Sequence, residues 1–423
     1  MFQSSTQTGW VARTVQAAGL TGMLAPMLAQ ADFVDDSHLS LGLRNFYIDR
    51  DYKENNPAHS RVGSWTQGFD LRFISGYTDT PVQFGLDAST QYAYRLDGGG
   101  GRGPDSIIPY DDSKHQQAKD YGRGGFTAKM RYSKTELKFG EHRPTLPVAF
   151  NDDSRQLVTT YFGTLIESKE IDKLTLTGGR FTEISSRESS NSEKMYLFNG
   201  PDVKRRSDGL NFGGATYAFT PTLSATYFYG QLEDIYQQHY FGATHLADLG
   251  NGYGLKTDLR YFNNSEDGDA LYGNIDNRSY GAMSTLKKGG HAFGLGYQRM
   301  LGDSTFPTLN GYVPQPYLVN WSGIAFIKPN EKSWQARYDY DFAALGIPGL
   351  KLMTRVLKGT GVNRGGDLSD SAEIERNLYV SYVVQSGPLK NLGVEFRNIN
   401  AKFSHANDYD ENRLITTYTW KFW

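Results

Sequence analysis

The residues best suited to chemistry in this chain are a recurring set of arginines. Arg44, Arg50, Arg72, Arg131, Arg260, Arg337, Arg355, Arg397 and Arg413 each occupy the polar parity of a stretch that alternates polar and apolar residues. A guanidinium stays ionised at physiological pH and meets a carboxylate through two parallel N–H donors. A row of them along one polar surface would hand an organic anion from site to site and lower its barrier to passage. The same parity carries Asp70, Asp258, Asp339 and Glu395, so wall salt bridges are the open alternative for any single arginine. A second candidate is the segment 142–160. It is rich in turn formers (Pro144, Pro147, Asn151) and carries Asp152, Asp153 and Arg155. Folded inward it would constrict a channel and set its charge preference; folded outward it would be an ordinary solvent loop.

The elements that must position these groups are strands. In the last segment Leu414, Thr416, Tyr418, Trp420 and Phe422 share one face, and Arg413, Ile415, Thr417, Thr419 and Lys421 the other. Trp334, Ala336, Tyr338, Tyr340 and Phe342 oppose Gln335, Arg337, Asp339 and Asp341 in the same way, and Phe126, Ala128, Met130 and Tyr132 oppose Thr127, Lys129 and Arg131. Period two places each set on one side of a sheet. Such segments recur from Leu39 to the C-terminus, and their connections differ in kind. Short turns fall at Ser75–Tyr77, Ser133-Lys134, Thr220–Thr222, Lys287–Gly290, Gly346–Gly349 and Ser386–Lys390. Long polar loops fall at 49–64, 96–123, 142–160, 185–207, 263–277, 301–330, 359–373 and 404–412. Short turns at one end and long loops at the other predict an all-β, transmembrane antiparallel β-barrel of about 18 strands, wide enough to hold water.

Composition agrees. The chain has 28 Tyr, 24 Phe and 47 Gly, which suits aromatic girdles and tight turns. Past the N-terminus no apolar run is long enough for a spanning helix. The absence of cysteine excludes disulfides and thiolate sites, and a net charge of -2 gives no basic field for nucleic acid. Catalytic signals are poor, and the chain is read as a non-enzyme without cofactor. The histidines are scattered with no HExxH pair, no GxSxG is present, and Gly98–Gly103 lacks the Lys-Ser ending and helix of a phosphate loop. Asp267, Asp269 and Asp276 lack EF-hand spacing and read as loop acids rather than a metal site. Residues 1–31 read as a cleaved export signal: Arg13 is the one charge before Asp32, Val15–Leu28 is mostly apolar, and Ala29-Gln30-Ala31 fits a cleavage site. Residues 32–423 then form a single barrel domain.

Over nearly the whole mature length the sequence resembles the OprD-type substrate-specific porins, the outer-membrane carboxylate channels. The resemblance rests on Leu43-Arg44-Asn45-Phe46-Tyr47 with Arg50-Asp51, on Gln67-Gly68-Phe69, Ser75-Gly76-Tyr77-Thr78 and Phe84–Ala88, and on Leu232–Tyr236 and Ile275-Asp276-Asn277. It continues through Ser333–Tyr338, Gly346–Leu350, Gln385–Lys390 and Glu411–Leu414. It implies a barrel in the outer membrane of a Gram-negative bacterium, monomeric or weakly trimeric, surrounded by lipid and lipopolysaccharide. It also implies passive uptake of small carboxylates, aromatic acids or amino acids, along a lumen ladder matched here by Arg50, Arg61, Arg155, Arg397 and Arg413. Two positions depart from the ladder: Glu395 stands where relatives carry a base, and Ser381 where some carry Lys. A general, weakly selective porin is the main alternative, and a structural or enzymatic barrel a further one.

The export reading has a direct test. N-terminal sequencing of the protein from outer membranes should begin at Asp32. Recovery of Met1 in that fraction would overturn it.

Overall fold

The structure is a computed structural model that describes residues 30–53, 60–98, 102–198, 205–310, 316–362 and 371–423. The expected export segment lies outside these residues apart from its last two, where a short helix α1 (Gln30–Asp35) begins. Parts of the loops expected at 49–64, 96–123, 185–207, 301–330 and 359–373 lie outside them as well.

Eighteen strands make one closed antiparallel sheet. In chain order they are β1 (His38–Tyr52), β2 (Arg61–Ile74), β3 (Gln83–Asp97), β4 (Asp120–Tyr132), β5 (Thr135–His142) and β6 (Thr160–Ser168). Next come β7 (Leu174–Ser185), β8 (Leu210–Thr220), β9 (Leu223–Leu232), β10 (Tyr236–Gly250), β11 (Tyr253–Glu266) and β12 (Asp276–Lys288). The last six are β13 (His291–Leu301), β14 (Lys332–Asp341), β15 (Leu350–Val362), β16 (Ser371–Val383), β17 (Gly393–Phe403) and β18 (Tyr409–Lys421). Each strand pairs with the next, and β1 pairs with β18 in the register Leu43↔Tyr418 and Tyr47↔Leu414. Past that seam, the Trp423 indole donates to Ser37 Oγ at 3.0 Å.

The faces are inverted relative to a protein in water. Trp334 is 62% exposed, whereas its neighbours Ser333 and Gln335 are buried. Leu414 is 46% exposed beside Arg413 at 4%. Apolar residues point out and polar residues in, which is stable when hydrocarbon surrounds the wall and water fills the lumen. No helix among the described residues is long and apolar enough to cross a membrane, so the crossing is made by strands.

The short connections share one end of the barrel. The six expected from the sequence are there, together with 169–173 and 251–252. At β14–β15 the chain turns through a 3-10 helix (Phe342–Leu345). Its start is capped by Asp341, whose carboxylate accepts from the Ala343 amide, and Gly346 closes it at φ 81, a conformation other residues seldom adopt. The opposite end carries the long loops. It also holds one tight connection that the sequence reading did not separate, Glu233–Ile235 between β9 and β10.

The lumen is partly filled. Val148, Ala149, Phe306, Leu309 and Leu318 come from two long loops and pack inside against β6–β11 and β13. Ile107, Ile108 and Leu157 pack against β1 and β18, and Ile324 and Phe326 against β15, β17 and β18. Each of these side chains larger than Ala149 contributes about 1.5–3 kcal/mol when fully buried, which draws these loops inward instead of leaving them in solvent.

The inside–outside assignment is testable by charge scanning. Leu414→Arg on the lipid face should cost barrel stability, up to the about 2–4 kcal/mol of a charge at mid-membrane depth, while Thr417→Arg on the lumen face should cost little. The check is the heat-modifiability midpoint of each variant, and equal midpoints would refute the assignment.

Candidate functional site: the constricted lumen

Two loops build the constriction. The first, residues 143–159, is held from three sides. Arg143 donates to both oxygens of Asp70 on β2 at 2.6 and 2.7 Å. Arg44 on β1 donates through Nη1 to the carbonyl oxygens of Asp153 (2.8 Å) and Arg155 (2.5 Å). In return Gln156 donates to the Arg44 carbonyl at 2.8 Å. That close approach needs Gly68: a Cβ there would stand 2.2 Å from the Gln156 amide nitrogen. The buried carboxylate of Asp152 pairs with the equally buried Arg187, which arrives from the loop after β7.

The second inward loop comprises the described residues 302–310 and 316–331, within the stretch expected as a long polar loop at 301–330. Its backbone is held by wall side chains. Arg260 donates to the Pro316 carbonyl at 2.9 Å, and Gln298 to that of Phe326 at 2.9 Å. The buried carboxylate of Glu375 accepts the amides of Gly323 (3.2 Å) and Ile324 (2.5 Å). Arg355 donates to Ser322 Oγ and, at 2.6 Å, to Asn377 Oδ1.

Between these loops and the wall formed by β1 and β15–β18 lies a cavity of about 1080 Å³. Arg44, Arg155, Arg187, Lys328, Arg355, Arg397 and Arg413 reach its lining, against the two carboxylates of Asp153 and Glu395. Arg397 and Arg413 are direct cross-strand partners on β17 and β18. Arg397 is oriented by Glu395 and lies over the Tyr379 ring, 5.0 Å from its centroid. Glu411 is fully buried and pairs with both Arg413 (2.5 Å) and Arg50 (2.5 Å), so one carboxylate holds two guanidiniums. At the loop tip, burial and the nearby Arg413 and Arg187 guanidiniums push the pKa of Arg155 down. That environment disfavours a further positive charge and favours an arriving negative one. Phe46, Phe198, Trp321, Tyr379 and Tyr382 give the same lining aromatic surface.

The expected site residues therefore divide. Arg44, Arg155, Arg355, Arg397, Arg413, Glu395 and Asp153 meet at the cavity. Asp152 does not line it, being committed to Arg187. Arg50 faces inward but is held by Glu411 under the Tyr409 ring. Arg72 lies at a separate, smaller cavity with Glu141 and Arg143. Arg131 stacks on Tyr77 near the short-turn end, and Arg337 is neutralised by a bidentate pair with Asp339 at 2.7 Å. Arg61, expected in the lumen from the family resemblance, is placed instead on the outward parity, paired with Asp49 at the loop end. Arg187 and Lys328 were not anticipated. Both sit in loops without alternation, where parity carries no information.

A closed 18-stranded barrel with an apolar exterior and a lumen narrowed by inward loops is the architecture of an outer-membrane porin. The chain belongs to the OprD family of outer membrane porins: residues 31–422 match the family's model. It is 40% identical over 399 residues to the porin-like protein GalP of Pseudomonas putida, covering 93% of this chain and 94% of that one. It is 35% identical to Porin D of Pseudomonas aeruginosa, over 91% of each. Among solved structures it is similar to Pseudomonas aeruginosa OpdL, with TM-score 0.82 and 48% identity over 92% of this chain and 100% of that one. It is likewise similar to Pseudomonas aeruginosa OpdK with vanillate, with TM-score 0.85 and 35% identity over 92% and 100%. These relatives are channels, and this chain is an outer-membrane channel of a Gram-negative bacterium, not an enzyme.

The second loop carries a titratable anchor. Glu331 is 1% exposed and lies beside Glu373 on β16, which also pairs with Lys328. Burial and the Glu373 carboxylate push the Glu331 carboxyl up to about 8 from an ordinary 4.5. The folded loop thus keeps a proton that the unfolded chain releases. Its stabilisation is full below pH 4.5 and is lost as pH rises towards 8. Thermal stability should fall across that window, and Glu331→Gln should flatten the fall. Identical pH profiles for wild type and variant would show that Glu331 is ionised in the folded barrel.

Proposed function

We propose that this porin admits small carboxylate-bearing solutes selectively and passively, using the cavity between the inward loops as its recognition surface. One observation carries the reading. Seven cationic side chains face two carboxylates on the lining, and Arg397 and Arg413 stand directly opposite one another there. A carboxylate entering between them meets always-ionised, planar donors on adjacent strands. The aromatic lining suits the ring of an aromatic acid, whereas Asp153 and Glu395 would hold the ammonium of an amino acid. The similarity to OpdK, solved with vanillate, supports the aromatic acids. Transport needs no cofactor, because the solute moves down its own gradient through a water-filled path.

A weakly selective pore is the second reading, and it too has an observation behind it. Arg337, Arg397 and Arg413 each have a carboxylate already on them, from Asp339, Glu395 and Glu411. Paired guanidiniums attract anions less strongly than free ones, so the two readings differ in whether flux saturates.

Arg397→Gln should lower saturable benzoate flux into proteoliposomes by about tenfold, the loss of one charge-assisted contact of about 1.5 kcal/mol. Glu395→Gln should free Arg397 and move the reversal potential in a KCl gradient towards anion preference. Unsaturable benzoate flux in the wild type, with reversal potentials unchanged in both variants, would establish the weakly selective pore instead.

A further inference from the structure

The outer wall carries a second set of cations that the channel reading does not use. Arg278, Arg299, Lys332, Lys358, Arg376 and Lys402 lie on β12, β13, β14, β15, β16 and β17, one on each consecutive strand. All six have outward parity: they share it with the exposed residues Tyr280, Leu295, Trp334, Val356 and Leu378 and with Phe396, and all six are themselves exposed. The register makes the set continuous. Arg299 pairs with Lys332, Lys358 lies opposite Trp334, Arg376 opposite Val356, and Lys402 opposite Ile374.

Their height is also common. Each lies seven to ten residues from the short-turn end of its strand. At about 3.3 Å per residue and a tilt near 40° that is roughly 18–25 Å, the upper edge of an apolar band about 25 Å tall. The long-loop end faces the cell exterior in this class of barrel. The row therefore sits where the sugar–phosphate headgroups of the outer leaflet begin.

The charge is largely free of close pairing, one nearby carboxylate being Asp410 on β18, within electrostatic reach of Lys402. Among the described residues the side chains of Arg299, Lys332, Lys358, Arg376 and Lys402 form no ion pair or hydrogen bond. Arg278 has a loose contact with Asp276 at 3.7 Å. The rest of the circumference differs. At comparable heights β1, β2, β8, β9 and β18 present Asn45, Gln67, Asn211, Gln231 and Asn412, and Arg180 on β7 is paired with Glu233. The cationic arc is thus a local feature of one side of the barrel, about 25 Å across at the 4.8 Å strand spacing.

We infer that this arc is a binding site for the phosphate groups of an outer-leaflet glycolipid, with the acyl chains lying on the apolar wall below. Placement decides the ligand. The cations face away from the lumen, so a transported solute does not meet them. The band beneath them, with Tyr280, Leu295, Trp334, Val356 and Leu378, is a surface for hydrocarbon. A phosphorylated lipid satisfies both halves at once. A free anion has no use for the apolar half.

The test uses the detergent-solubilised full-length protein, titrated with bisphosphorylated lipid A, its dephosphorylated form or inorganic phosphate, and read by native mass spectrometry. The wild type should bind the bisphosphorylated lipid at least about tenfold more tightly than the dephosphorylated one. That preference should weaken steeply with added NaCl, as screening of several charges requires. The combined variant Arg299→Gln, Lys332→Gln, Lys358→Gln should lose the preference while its single-channel conductance is unchanged. Equal binding of the two lipids by the wild type, or a preference insensitive to salt, would overturn the site without recourse to any variant. So would a triple variant that keeps the preference. Competition by inorganic phosphate at concentrations equal to the lipid would show a free-anion site and overturn the lipid assignment.

Discussion

The structure depends on one constraint: inside hydrocarbon, every backbone N–H and C=O must find a partner within the protein. A sheet meets it only by closing on itself, and the β1–β18 pairing does so. Closure fixes the rest. With no edge, each strand has two neighbours and an enforced register, and a slip of one residue would send Arg413 into lipid and Leu414 into the lumen. The alternation that reads as a pattern in the sequence is therefore a positional requirement repeated around the whole wall.

Within that wall, carboxylates act as anchors. Asp70 holds Arg143, Asp152 holds Arg187, Glu375 holds the backbone of the second inward loop, and Glu411 holds Arg50 and Arg413 together. Most of these pairs are removed from water, where losing one partner would leave the other buried and unpaired. Asp70, Asp152 and Glu375 thereby fix the two loops in the lumen, where they also pack together in one cluster. The opening between them is accordingly set by main-chain positions, with Arg44 gripping two carbonyls at the tip of the first loop.

What was legible in the sequence was local. Period two revealed the strands and their faces, and turn residues separated the two ends of the barrel. Trp334, Phe126 and Leu414 were assigned outward from parity alone and are exposed. Contacts between distant segments were not legible. The burial of Phe306 and Phe326 inside the lumen depends on which wall the 302–331 loop meets, and no repeat within that loop encodes it. Arg187 meets Asp152 across 35 residues with no shared strand. Arg61 shows the opposite failure. Homology suggested the lumen, but alternation running back from Val62, Ser64 and Thr66, all buried inward, already placed it outside. The tight Glu233–Ile235 connection was not legible because it contains neither Gly nor Pro and joins two strands at the end that otherwise carries long loops.

The seam between β1 and β18 also bears on how such a molecule comes to exist. The partner of the first strand is the last one synthesised, so during translation β1 has an unsatisfied flank that no nascent neighbour can cover. Until β18 is delivered, the chain exposes two bare edges, the kind of surface that templates aggregation. Nor can the wall be completed piecemeal, because nearly all of the polypeptide must be present before the ring can shut, and pairings of such high sequence separation form slowly. Closure of the seam therefore comes late in assembly, and the Trp423–Ser37 contact lies beside it as a clasp.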